Sequence, residues 1–185
     1  MFLRKSSIEP LPVTMSAVRM GERVLQIGVD DPAIVSALAA KVGLSGYAAI
    51  AVTDDAGAAR TRAAAGRAGV LIDVQIAPVT SLPFESGAFD LVIAHSTRGL
   101  VSSLDATSRM AALREWHRML RQGGRVMTIE SAPTAGLKGM LRPTRVDETY
   151  AASGGIVAAL EAAGFRPVRV LAEREGYTFT EGLKT

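Results

Sequence analysis

The chain has 185 residues, of which 48% are hydrophobic and 21% are charged, and this fits one folded domain with its own core. It contains no cysteine and two histidines, which excludes disulfide frameworks, cysteine nucleophiles and histidine-rich or thiolate metal sites. The net charge of +3 arises from basic residues scattered among acidic ones, so nucleic-acid binding is not indicated.

The N-terminal segment differs in pattern from the rest of the chain. Residues 1–20 carry Pro10 and Pro12 and have mixed polarity, which predicts an irregular arm ahead of a domain spanning residues 21–185. This arm lacks the apolar centre of a secretory signal, and no apolar run approaches the ~20 residues of a membrane span. We therefore expect a cytoplasmic protein without a membrane anchor.

Beyond the arm, short apolar runs alternate with helical patterns. The first helix is marked by Asp31 as its N-cap, Pro32 at its first position and Gly43 at its end. The last two strands flank Gly176 and predict a hairpin. Residues 132–152 are expected to be irregular. The predicted strands are 23–28, 47–53, 71–76, 89–95, 125–131, 166–173 and 177–184, and the predicted helices are 32–42, 56–68, 108–121 and 156–163.

This alternation predicts an α/β fold. Apolar, β-branched strands separated by helices are typical of a doubly wound, mainly parallel sheet with helices on both faces. Seven strands are expected, ending in an antiparallel hairpin. In such sheets ligands bind beyond the carboxyl ends of the strands, where the strand order reverses. The segments at those ends are Gly28–Pro32, Thr53–Asp55, Ala77–Val79 and His95–Thr97.

Two further segments carry a family resemblance. They are LPFESGAFDLV at Leu82–Val92 and LRQGG at Leu120–Gly124, and they follow VLQIG and VTDD in order. Together these segments resemble the class I S-adenosylmethionine (SAM)-dependent methyltransferases, above all those of ubiquinone and menaquinone biosynthesis. The resemblance covers residues 21–185 and implies a Rossmann-like sheet, SAM as cofactor and methyl transfer to an acceptor that the sequence does not identify.

The resemblance also implies a set of cofactor-binding residues at the strand ends. Asp54 matches the acidic residue that pairs with the ribose hydroxyls in this family, and its alternative role is to cap the following helix. His95 is a candidate base toward the acceptor, with a pocket wall or a satisfied core histidine as the alternatives. The complete predicted set is Gly28, Val29, Asp30, Thr53, Asp54, Ala77, Val79 and His95.

Three departures from the family pattern bear on cofactor binding. Gln26 occupies the usual acidic position in the first strand, and Asp30 and Pro32 occupy the second and third glycine positions. We expect Asp30 to be a solvated turn residue. Glycine is used at such turns because a side chain blocks the close approach of a ligand to the backbone. After the third strand, Ala77 and Pro78 leave no acidic partner for adenine.

Two functions are therefore compared. The first is a SAM-dependent methyltransferase. The second is a methyltransferase-fold protein that has lost SAM binding and serves as a binding or assembly module. In the family the acceptor is covered by an N-terminal segment and an insertion after the fifth strand, and both are short here. These short coverings indicate a large partner that acts as the lid, a homodimer that closes the site, or no reaction at all.

Overall fold

The computed structural model describes residues 9–132 and 148–185. The helices are α1 (Leu11–Met15), α2 (Pro32–Val42), α3 (Asp55–Ala68), α4 (Ala106–Met119), α5 (Glu148–Ala152) and α6 (Gly155–Ala162). The strands are β1 (Arg23–Ile27), β2 (Tyr47–Val52), β3 (Asp73–Ile76), β4 (Phe89–Ser96), β5 (Leu120–Ser131), β6 (Val168–Arg174) and β7 (Tyr177–Leu183).

Within the described residues, the seven strands form one sheet in the order β3-β2-β1-β4-β5-β7-β6. The first five strands pair in parallel, whereas β7 runs antiparallel to both β5 and β6. The predicted sheet and C-terminal hairpin are confirmed. The strand order reverses between β1 and β4, because the chain moves outward to β2 and β3 before returning to β4 beside β1.

Each face of the sheet is covered by its own hydrophobic core. Leu38 and Val42 of α2 pack on the first face together with α1, and α3 adds Ala58 on that side. Trp116 of α4 and Leu160 of α6 pack on the opposite face. Adjacent residues of β1 point to opposite faces, as expected of a strand covered on both sides. No helix within residues 9–132 and 148–185 has the length and apolar character needed to cross a bilayer.

The helix starts follow from local side-chain chemistry. Asp31 accepts a hydrogen bond from the Ala33 backbone N–H at 2.8 Å, with Pro32 at the first helical position. Asp54 likewise accepts from the Gly57 N–H at 2.6 Å and begins α3. Both contacts satisfy donors that a helix leaves unpaired in its first turn. The prediction of Asp31 as a helix cap is confirmed.

Several predicted boundaries are wrong. Helix α4 begins at Ala106, after the Asp105 cap, and ends at Met119. The segment 120–124, predicted as the end of that helix, belongs to β5 because Leu120 is extended and pairs with Phe89. The arm contains helix α1, whose start has Pro10 as its N-cap. Residues 148–152 form α5 where irregular chain was predicted, and residues 133–147 of that prediction lie outside the described residues.

Two glycines offer a matched test of packing. A Cβ at Gly46 would lie 2.4 Å from Val42 Cγ1 and 2.5 Å from the Glu22 carbonyl oxygen, whereas a Cβ at Gly66 in α3 meets nothing within 4 Å. We expect Gly46→Ala to lower the free energy of unfolding by about 1–3 kcal/mol through overpacking. Gly66→Ala should raise it by about 0.5–1 kcal/mol because alanine favours helix.

Urea denaturation of both variants checks this pair. Equal stability of Gly46→Ala and the parent protein would contradict the tight connection between α2 and β2.

Candidate functional site

The carboxyl ends of strands β1, β2 and β4 enclose a crevice at the point where the strand order reverses. It holds two neighbouring cavities, one of about 310 Å³ and one of about 110 Å³. The larger is lined by Gly28, Val29, Asp30, Val52, Thr53, Asp54, Gly57, Arg60, His95, Arg98 and Leu100. The smaller is lined by Pro12, Asp30, Asp31, Ile34, His95, Thr97, Arg98, Ile129 and Tyr177.

Gly28 forms the floor of the larger cavity. Its φ of +76° lies in the left-handed region, and a Cβ there would lie 3.2 Å from both the His95 carbonyl oxygen and the Leu100 side chain. Only glycine meets both constraints without strain. Glycine at this turn is therefore required by the backbone and by the packing of Leu100, and Gly28 lines the larger cavity with backbone atoms alone.

Asp54 combines the two roles considered for it. Its Oδ1 caps α3 through Gly57, while the carboxylate also lines the larger cavity. No hydrogen bond to Oδ2 is found among the described residues. The helix-cap role is observed, and a carboxylate oxygen remains available to accept hydrogen bonds from a ligand's hydroxyl groups.

Gln26 and His95 form a buried polar link beneath the crevice. Gln26 Nε2 donates to the Val35 carbonyl oxygen at 3.0 Å, so its Oε1 is left to accept from His95 Nε2 at 2.9 Å. Burial lowers the pKa of His95 to about 4, although Asp30 and Asp31 oppose the shift. The imidazole is therefore neutral near pH 7. This geometry favours the core-histidine alternative, in which His95 is also a cavity wall, and a catalytic role stays a prediction.

Asp30 crosses the crevice instead of facing solvent. Its Oδ2 accepts hydrogen bonds from the Thr97 backbone N–H at 2.7 Å and from Thr97 Oγ1 at 2.6 Å. The turn after β1 is thus tied to the turn after β4. The expectation of a solvated turn residue is wrong, because two donors on the opposite strand end meet the carboxylate.

The structure brings together six of the eight residues predicted to bind the cofactor. Ala77 and Val79 do not line either cavity: the Ala77 N–H donates to the Val52 carbonyl oxygen at 2.9 Å, and Val79 is buried in the core against the sheet. Their binding role stays a prediction. The six that line the larger cavity are Gly28, Val29, Asp30, Thr53, Asp54 and His95.

Sequence reasoning missed five residues of the larger cavity, which are Val52, Gly57, Arg60, Arg98 and Leu100. Arg60 follows Asp54 and Gly57 at successive helical turns, a spacing that places it on the same side of α3. Arg98 and Leu100 come from the turns that follow β4. The spacing from Asp54 could have identified Arg60, whereas Leu100 depends on how the chain folds back over Gly28.

A second polar cluster was also missed, on the α4 face of the sheet. Glu130 lies at the end of β5, paired with Ser96 and Thr178, and burial raises its pKa to about 7. Burial of the Tyr150 hydroxyl raises the pKa of Tyr150, and the charge of Glu130 adds to this rise. The Tyr150 ring lies 4.1 Å from the Arg109 guanidinium carbon. Burial at this strand end therefore leaves a carboxyl group that titrates near neutrality.

The sheet order and strand-end crevice define a methyltransferase-type α/β protein. A family model described as "Methyltransferase domain" matches residues 25–128, which is more than half of the chain. The chain belongs to this methyltransferase domain family, for which SAM is the cofactor. No curated protein in the comparison matches the chain.

Solved structures share the fold at low sequence identity. A SAM-dependent methyltransferase from Aquifex aeolicus is 17% identical, with a TM-score of 0.73 over 94% of this chain and 87% of that one. A putative methyltransferase from Haloferax volcanii, in complex with the Trm112 activator, is 14% identical, with a TM-score of 0.66 over 93% and 86%. PigF with SAH is 21% identical, with a TM-score of 0.59 over 89% and 51%.

The raised pKa of Glu130 predicts a pH dependence of stability. The folded protein holds this proton up to about pH 7, whereas an unfolded glutamate releases it near its ordinary value of 4.5. Stability should therefore fall as pH rises from about 4.5 through 7. We expect Glu130→Gln to remove this part of the slope and to be more stable than the parent protein at pH 8.

Thermal unfolding between pH 4.5 and 8 measures the effect. Glu161→Gln on the exposed side of α6 is the matched control. A parallel pH profile for Glu130→Gln and the parent protein would refute the assignment.

Proposed function

We propose that this chain is a SAM-dependent methyltransferase that transfers a methyl group to an as yet unidentified acceptor. The observation that carries the proposal is the cavity of about 310 Å³ at the strand ends, which joins the Gly28 backbone to the Asp54 carboxylate. Membership of the methyltransferase domain family supports it.

The residues of the larger cavity fit the nucleoside part of SAM. Asp54 Oδ2 has no hydrogen-bond partner among residues 9–132 and 148–185, and it offers an acceptor for ribose hydroxyl groups, which are hydrogen-bond donors. Val29, Val52 and Leu100 supply apolar walls, as expected for a site that takes a flat heterocycle. Gly28 has no side chain and adds backbone atoms to the lining of this cavity.

Methyl transfer places modest demands on the protein. When bound, SAM supplies a methyl group on a sulfonium centre that is already activated, so positioning and exclusion of water are the main contributions of the protein. Gly28 and Asp54 would bind and orient the nucleoside. The buried Gln26–His95 link holds the ends of β1 and β4 at a fixed separation beneath it.

One observation favours the second function, a methyltransferase-fold module without SAM binding. Gln26, His95 and Asp30 all satisfy hydrogen bonds within the protein. A crevice whose polar groups pair with each other gains less from a polar ligand, because binding must replace those contacts. Measured SAM affinity separates the two functions.

Asp54 gives the sharpest test of the enzyme proposal. Asparagine caps helices as well as aspartate does, so Asp54→Asn should leave the melting temperature nearly unchanged. It removes the charge from the hydrogen bond to a ligand hydroxyl, and we expect the dissociation constants of SAM and S-adenosylhomocysteine to rise about tenfold. Isothermal titration calorimetry measures both.

Asp55→Asn is the matched control, because Asp55 is exposed in the first turn of α3 and does not line the cavity. Unchanged affinity in Asp54→Asn would remove Asp54 from the site. Absence of binding by the parent protein at millimolar SAM would exclude the enzyme and leave the binding module.

A further inference from the structure

The Asp30–Thr97 bridge links a residue that lines both cavities of the crevice to one that lines the smaller cavity. Asp30, His95 and Arg98 line both of them, and the bridge between Asp30 and Thr97 joins the turns after β1 and β4. A ligand that extends from the larger cavity into the smaller one must therefore pass the Asp30 carboxylate.

The bridge is strong for a contact between two turns. Both donors of Thr97 converge on one carboxylate oxygen, at 2.7 and 2.6 Å, and hydrogen bonds to an ionised acceptor are among the stronger ones in proteins. The Thr97 carbonyl oxygen also accepts from Ser131 Oγ at 2.9 Å. Thr97 is thereby also bonded to β5, and rotation of its hydroxyl group would break only one of the two contacts with Asp30, because the other comes from the backbone N–H.

Asp30 is part of the same rigid unit on the β1 side. Its neighbour Asp31 caps α2, and Pro32 fixes the backbone of the first helical residue. The Asp30 side chain consequently extends across the crevice from a backbone position that the start of α2 fixes. Displacing it requires loss of both Thr97 contacts or movement of the helix start.

We propose that the Asp30–Thr97 bridge is a specificity determinant that makes the amino-acid tail of SAM or S-adenosylhomocysteine cost affinity in this crevice, so that SAM binds with the bridge open and a nucleoside without a tail binds with the bridge intact. This inference rests on the proposed function, since it assumes that the larger cavity binds the nucleoside. A short 5′-thioether nucleoside occupies the larger cavity with the bridge intact. An amino-acid tail directed into the smaller cavity opens the bridge and loses affinity accordingly.

The test compares two ligands that differ in the tail: methylthioadenosine and S-adenosylhomocysteine. Calorimetry gives the dissociation constant of each for the parent protein and for Asp30→Ala, which removes the bridge. We expect S-adenosylhomocysteine to bind about tenfold more tightly to Asp30→Ala, the order expected when a charge-assisted hydrogen bond no longer has to be broken. The affinity for methylthioadenosine should change less, because this ligand has no tail that opens the bridge, so the ratio of the two dissociation constants is the readout.

A second variant keeps the test independent of how Asp30→Ala folds. Thr97→Val removes one of the two donors at nearly constant shape and should give a smaller shift of this ratio in the same direction. Thr97→Ser keeps the hydroxyl group and is the matched control, with affinities like those of the parent protein.

Two results would overturn the inference while leaving the proposed function intact. One is an unchanged ratio of the two affinities in Asp30→Ala and Thr97→Val. The other is weaker binding of S-adenosylhomocysteine to Asp30→Ala, which would mean that Asp30 attracts the ammonium group of the tail. If neither nucleoside binds any of these proteins, the nucleoside site itself is refuted, and the inference fails with it.

Discussion

The parallel pairing of β1 with β2 on one side and β4 on the other determines where this protein can bind a ligand. Leu25 pairs with Ala49 and with Val92, so three strand ends meet at one edge of the sheet. The chain leaves β1 toward one side and returns through β4 from the other, which opens a crevice between their ends. This strand pairing positions the residues that could contact a ligand in the crevice.

Two side-chain links cross between β1 and β4 at that edge, and they give Gln26 and Asp30, two departures from the family pattern, hydrogen-bond partners within the protein. Gln26 can donate to Val35 and accept from His95 at once, whereas a carboxylate in its place could not donate. The neutral state of His95 follows from burial and matches an uncharged partner. Asp30 in turn is compatible with the crevice because Thr97 presents two donors to it.

The sequence predicted the fold well because apolar periodicity, helix caps and terminating glycines all agreed. It failed at residues 120–124, where pairing with Phe89 prevailed over a local pattern that continued the helix. At the site, Gly28 and Asp54 could be predicted because backbone geometry and helix capping are local properties. The partner of Asp30 lies 67 residues away, and the burial of Glu130 depends on elements that local pattern does not place.

The choice between an enzyme and a binding module depends on a competition at Asp30, where the hydrogen bonds of a ligand would replace those that Thr97 now makes. Where glycine stands in place of Asp30 after the first strand, a ligand can reach backbone N–H groups without breaking a hydrogen bond within the protein. Here a ligand that reaches Asp30 gains only the difference between its own hydrogen bonds and those it displaces from Thr97. The larger cavity keeps its backbone lining at Gly28 and its carboxylate at Asp54. Under the proposed function, recognition of the nucleoside and admission of its substituent are therefore separate properties of this crevice, and each can change without the other.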